Sequence, residues 1–153
     1  MKALVIVSLL LAHASTFAAP LPQEGLYRGL DGNKICTLEI VKVVTNKAEI
    51  KKLNQKDLDA GVFEEKDLPA YMLYVSLNGE SKVRVVSGDE TMNQVVPEDR
   101  AKGAVARISA GQGLLPFPVG SFMEILLDQN RKPISYSIVS LPFGKNISCE
   151  DLR

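Results

Sequence analysis

The chain has two cysteines, and where they stand limits what it can fold into. Cys36 lies near the start of the longest strand-like run, and Cys149 is the fifth residue from the end. Two cysteines in an exported chain are expected to pair with each other, the alternatives being two free thiols or a bond to another chain. A bond between them returns the tail to the first long strand and encloses more than a hundred residues. A fold whose last segment lies beside its first satisfies that requirement with least distortion.

The run itself, Lys34 to Val44, alternates as a half-buried strand does. Cys36, Leu38 and Ile40 fall on one face, with Thr37 and Glu39 on the other. Its β-branched residues suit a pleated surface. The alternation fails at Val43 and Val44, which predicts a bulge or burial on both faces.

The expectation of export rests on the N-terminus. Met1-Lys2 is followed by an apolar stretch from Ala3 to Ala12 and by Thr16-Phe17-Ala18, which offers small residues where a signal peptidase reads. Residues 1–18 are therefore expected to be a cleaved signal peptide, leaving 19–153 as one β domain in a secreted or periplasmic compartment. The apolar stretch is short for a transmembrane helix, and no later stretch is longer, so no transmembrane segment is expected after cleavage. With Lys2 removed, 17 basic residues face 18 acidic ones. That balance gives no electrostatic reason to expect a nucleic-acid partner.

His13 is the only histidine and leaves with the signal. A mature chain without histidine has no Ser-His or Cys-His pair and no imidazole base, and two cysteines are too few for the usual zinc sites. The remaining acids, Glu64-Glu65, Asp89-Glu90, Glu98-Asp99 and Glu150-Asp151, are sequence neighbours, whose side chains point apart on extended backbone. No catalytic residue is assigned, and a non-enzymatic protein without cofactor or metal is expected. Asp57-x-Asp59-x-Gly61 has a passing calcium-loop spacing, but places glycine where a ligand is needed.

Along the mature chain, Gly25 to Gly29 and the Asp31-Gly32-Asn33 turn form a hairpin with the long strand. The triplet Gly25-Leu26-Tyr27 resembles the Gly-x-Trp that opens the first strand of lipocalin-type barrels, which often tie their tail to the barrel by a disulfide. Tyrosine stands here where that family has tryptophan, and the resemblance implies a barrel but no functional residue. Asn46 is placed to cap a short helix presenting Ile50 and Leu53, with Gly61 to end it, an irregular strand with a long loop being the alternative.

Ala70 to Leu77 and Ser81 to Val86, joined by Asn78-Gly79, predict a hairpin with Val83 and Val85 inward and Lys82 and Arg84 outward. Thr91 to Val96 reads as a further strand stopped by Pro97, and Glu98 to Gly103 as a turn. Ala104 to Ala110 is a strand of small residues, suited either to a crowded interior or to leaving room for a ligand. Ser121 to Leu127 and Ile134 to Leu141 flank a polar turn and make a second hairpin. In the tail, Asn146-Ile147-Ser148 matches the N-glycosylation sequon, which matters in a eukaryotic secretory host.

Two segments stand apart from this pattern. Leu114-Leu115-Pro116-Phe117-Pro118-Val119 is apolar and stiffened by two prolines, and Leu141-Pro142-Phe143 repeats its central triplet just outside a strand. Such residues either cap the open end of a core or form an exposed patch for a partner or lipid-like ligand. Leu114, Leu115, Phe117, Leu141 and Phe143 are accordingly the candidate binding residues.

The fold expected is all-β, a small antiparallel closed barrel of about seven or eight strands with at most one short helix, a β-sandwich being the alternative. The function expected is a binding module. Its barrel holds a small apolar ligand, or its Leu-Pro-Phe loops dock on another secreted or envelope protein as a binding or inhibitor module; a structural envelope protein is the third reading.

Overall fold

Hydrophobic alternation and turn chemistry produce two antiparallel sheets in which strands pair with their sequence neighbours. β1 (Gly25–Asp31), β2 (Lys34–Val44), β3 (Met72–Leu77) and β4 (Arg84–Ser87) form the first sheet in that order. β5 (Ala106–Ala110), β6 (Ser121–Leu127), β7 (Pro133–Ser140) and β8 (Ile147–Cys149) form the second. A computed structural model of the chain describes residues 20–81, 83–88, 94–110, 121–140 and 146–153. Residues 1–19 and both Leu-Pro-Phe segments lie outside them.

Neither sheet closes on itself, so the closed barrel of the sequence reading is replaced by two open sheets. Their edges meet in two different ways. At one, β1 and the chain after β8 exchange backbone hydrogen bonds: Leu30 and Glu150 donate to each other at 2.9 Å, and Arg28 and Arg153 at 3.0 Å. At the other, β4 and β5 run close to each other without a paired register. β4 has only four residues, and its ladder with β3 ends where Gly88 donates its N–H to the Tyr71 carbonyl at 2.9 Å. A ladder so short offers β5 little to pair with.

The inner faces share one core. Leu38, Ile40, Leu73, Val75 and Val86 of the first sheet belong to the same buried cluster as Ile108, Met123, Ile125, Leu127 and Tyr136 of the second. Ala106 and Ile108 stand opposite Leu127 and Ile125, so the small residues of β5 serve close packing. The irregularity expected in β2 is a bulge at Val41, between Ile40 and Lys42. It turns Val43 toward the main core and Val44 onto the outer face.

That outer face needs a cover, and a helix supplies it. α1 (Lys47–Leu53) starts at Asn46, whose Oδ1 accepts from Ala48 N at 2.9 Å and Glu49 N at 3.1 Å. Ile50 then packs on Val44 and Met72, with Leu53, Leu68, Tyr74 and Val85 around them. Asn46→Ala should cost about 1 kcal/mol by removing the cap, read as a shift of the urea midpoint. α2 (Gln55–Asp59) follows, then a 3₁₀ turn (Glu65–Asp67).

Three sequence expectations need correction. There is more than one helix: besides α1 and α2, α3 (Pro97–Ala101) occupies part of the expected Glu98–Gly103 turn. Pro97 begins that helix, since proline fits its first turn and Glu98 and Asp99 favour its positive end. The expected strand Thr91–Val96 is not seen over 94–96, while 91–93 lie outside the described residues. Arg84 faces inward, because it stands opposite Val75 and cross-strand partners share a face. Val85, opposite Tyr74, faces outward beneath the α1 layer, and Val83 is exposed.

Candidate functional site

Strand direction sorts the connections to two ends. At one end lie the lead-in to β1, the helical β2–β3 connection, the β4–β5 connection and the β6–β7 turn. This end is tied shut. Gln23 donates its backbone N–H to Arg131 O at 3.1 Å and its Nε2 to Asn130 O at 2.8 Å, and Tyr27 donates its hydroxyl to Gln23 O at 2.9 Å. Arg131, in the left-handed region with φ 64°, is buried, and its Nη2 donates to the Tyr71 hydroxyl at 3.4 Å. Nothing along the chain signals this role, since Arg131 sits in a polar turn among residues that read as solvated.

The opposite end carries the β1–β2 and β3–β4 turns and the residues that flank both Leu-Pro-Phe segments. Ala110, Ser121, Ser140 and Asn146 are these flanks. Ser121, which follows the first segment, stands directly opposite Ser140, which precedes the second. The chain therefore brings the two segments' attachment points to adjacent strands at one end of the fold. The side chains of Leu114, Leu115, Phe117, Leu141 and Phe143 lie outside the described residues.

On the same end, the first sheet presents apolar surface to solvent. Leu30 stands opposite Ile35 beside the β1–β2 turn, and the two are 47 % and 77 % exposed. Pairing them on one face follows from the hairpin register. Polar groups surround this end: Asn78 Oδ1 accepts from Thr37 N at 3.0 Å and from the Tyr136 hydroxyl at 3.5 Å, and Arg84 pairs with Glu80 at 2.7 Å. Asn78 and Gly79 both have positive φ, 52° and 69°, as the expected two-residue turn requires.

Burial raises the Tyr136 hydroxyl pKa above its ordinary 10.0; the Asn78 hydrogen bond opposes this, Asp31 adds to it, and the Arg84 charge opposes it again. Burial, helped by Asp128, also raises Tyr27. A tyrosine whose folded pKa is raised contributes fully below the unfolded value and loses that contribution as pH rises through the folded one. Stability should therefore hold up to about pH 10 and fall above it, as followed by circular dichroism alongside an ultraviolet titration of the phenols.

Cys36 and Cys149 are bonded, with Cα atoms 6.0 Å apart. The bond joins β2 to the end of β8 and stands beside Gly29 and Leu152 of the bridged seam. Of the acidic pairs, Glu64 meets Lys66 at 2.7 Å, Glu65 meets Lys51 at 2.6 Å and Glu150 meets Lys102 at 3.3 Å on the surface, and Asp89-Glu90 lie outside the described residues. Among the described residues, no group of three or more metal-ligating side chains gathers. A pair the sequence reading missed, Arg107 with Glu124, crosses from β5 to β6 on the outer face of the second sheet. The residues are diagonal neighbours, which only the register reveals.

No protein-family model, no curated protein and no solved structure matches this chain. Any functional reading therefore rests on these residues. No helix among the described residues is long and apolar enough to cross a membrane.

Proposed function

We propose that this is an exported, non-enzymatic binding module that meets its target, another secreted or envelope protein, at the end where both Leu-Pro-Phe segments attach. In this reading residues 1–18 are removed as a signal, and the eight strands act as a barrel-like support with one tied end and one binding end. The pairing of Ser121 with Ser140 carries the proposal, because it places both segments' roots side by side. The exposed Leu30 and Ile35 at the same end extend the apolar surface. Proline-stiffened loops lose little freedom on docking, which favours affinity.

A small apolar ligand held between the sheets is the second reading. The unpaired approach of β4 to β5 favours it as a route of entry. It has less support, because Leu38, Leu73, Val75, Ile108, Met123, Ile125 and Leu127 have no accessible surface. Side chains lining a space large enough for water would retain some.

Native mass spectrometry of the protein recovered from its secretory compartment without detergent separates the two. A complex with a second protein, lost in Ile35→Asp and in Phe117→Ala with Phe143→Ala, is the expected result. Ile35→Asp should change stability by no more than about 0.5 kcal/mol, as for other exposed positions. An adduct on the order of a few hundred daltons on a monomer would instead support the ligand.

A further inference from the structure

We propose that Asn146 is an N-glycan attachment site, positioned so that the sugar leaves along the outer face of β8 beside the binding end. The inference rests on the export reading above. Asn146-Ile147-Ser148 supplies the acceptor amide and the hydroxyl two residues on that glycosylation requires.

The structure adds three observations. Asn146 is exposed at the entry to β8. Ile147 packs toward the main core, so alternation along the strand turns Asn146 and Ser148 to the outer face. Ser148 stands opposite Ser137, and the two line a polar cleft of about 160 Å³ with Ser135, Glu124, Lys102 and Glu150. Ser137 and Ser148 thus set two hydroxyl-bearing residues side by side on the outer face of the strand that Asn146 enters.

The chemistry needs a lipid-linked oligosaccharide as donor. Asn146 Nδ2 loses a proton and bonds to the anomeric carbon as that carbon's bond to the diphosphate oxygen breaks. The lipid diphosphate leaves with the electron pair and carries off the proton. Timing follows from the fold. Once Ile147–Cys149 has paired with β7 and Cys149 has joined Cys36, two of the three acceptor residues, Ile147 and Ser148, are held in a ladder and resist being drawn into an enzyme. Attachment must precede closure of the tail, so occupancy should rise when closure is prevented.

The test is to express the full chain in a eukaryotic secretory cell and examine the medium. The expected result is a processed N-terminus together with a mobility shift removed by an N-glycosidase. The shift should be absent in Asn146→Gln and Ser148→Ala and retained in Ser148→Thr, and the glycosylated fraction should rise in Cys36→Ala. A processed, secreted chain whose mass shows no glycan on Asn146 would overturn this proposal and leave the export reading standing. A chain retained in the cytosol with Met1 in place would overturn both.

Discussion

Replacing both cysteines, Cys36→Ala with Cys149→Ala, should lower the unfolding free energy by about 4 to 5 kcal/mol. The bond joins residues 113 apart, and in the chain-entropy model a loop of that length restricts the unfolded chain by that amount. Domains of this size are stable by only about 5 to 15 kcal/mol, so the variant should be marginal at physiological temperature. Denaturation in urea, with and without reductant, measures the effect on the native chain and on the variant. A loss below about 1 kcal/mol would mean that the tail is held by its other contacts: the Leu30–Glu150 and Arg28–Arg153 hydrogen bonds and the buried Leu152.

Gly29→Ala should cost about 1 to 3 kcal/mol, a large effect for one added methyl. Gly29 stands opposite Cys36 on β1 with its open side toward the returning tail. A Cβ there would fall within contact distance of the Glu150 carbonyl oxygen, and would lie 3.1 Å from Leu152 Cδ2 and 3.2 Å from Cys149 Sγ. The first of these is backbone, bonded to Leu30 N, and cannot swing aside. The tail must move instead, which should appear as faster amide exchange at Leu30 and Glu150. Because the same tail contacts are lost when the cysteines are removed, the two changes should combine to less than their sum, by about 1 to 3 kcal/mol. Full additivity would show that the glycine and the disulfide hold different parts of the molecule.

Both predictions concern a seam that was only half legible beforehand. The two cysteines indicated that the tail returns to β2, because a covalent bond is visible in composition. They did not indicate that the tail would run beside β1 and exchange hydrogen bonds with it, nor that glycine was needed at position 29 to admit it. Close approach of two backbones leaves no hydrophobic pattern to read. Arg84 makes the same point differently. As a charge in an alternating strand it was expected outside, yet the register places it on the Val75 face, where Glu80 pairs with it at the rim. Val85 could face outward only because α1 supplies an apolar cover for it.

By itself the sequence indicated most of the strands, though not the outcome at 94–96, the turns at Asn78-Gly79 and 128–133, the pairing of the two cysteines, and Asn46 as one candidate helix cap. Each follows from local periodicity, from the φ values that Asn-Gly allows, or from a count of two. Only the tertiary structure decided that the eight strands among the described residues divide into two open sheets, that Arg131 is buried to tie one end shut, and that the two Leu-Pro-Phe segments attach side by side through Ser121 and Ser140. Those outcomes depend on register and on which edges meet. Both are settled by the packing of residues far apart in the chain, which no window along it contains.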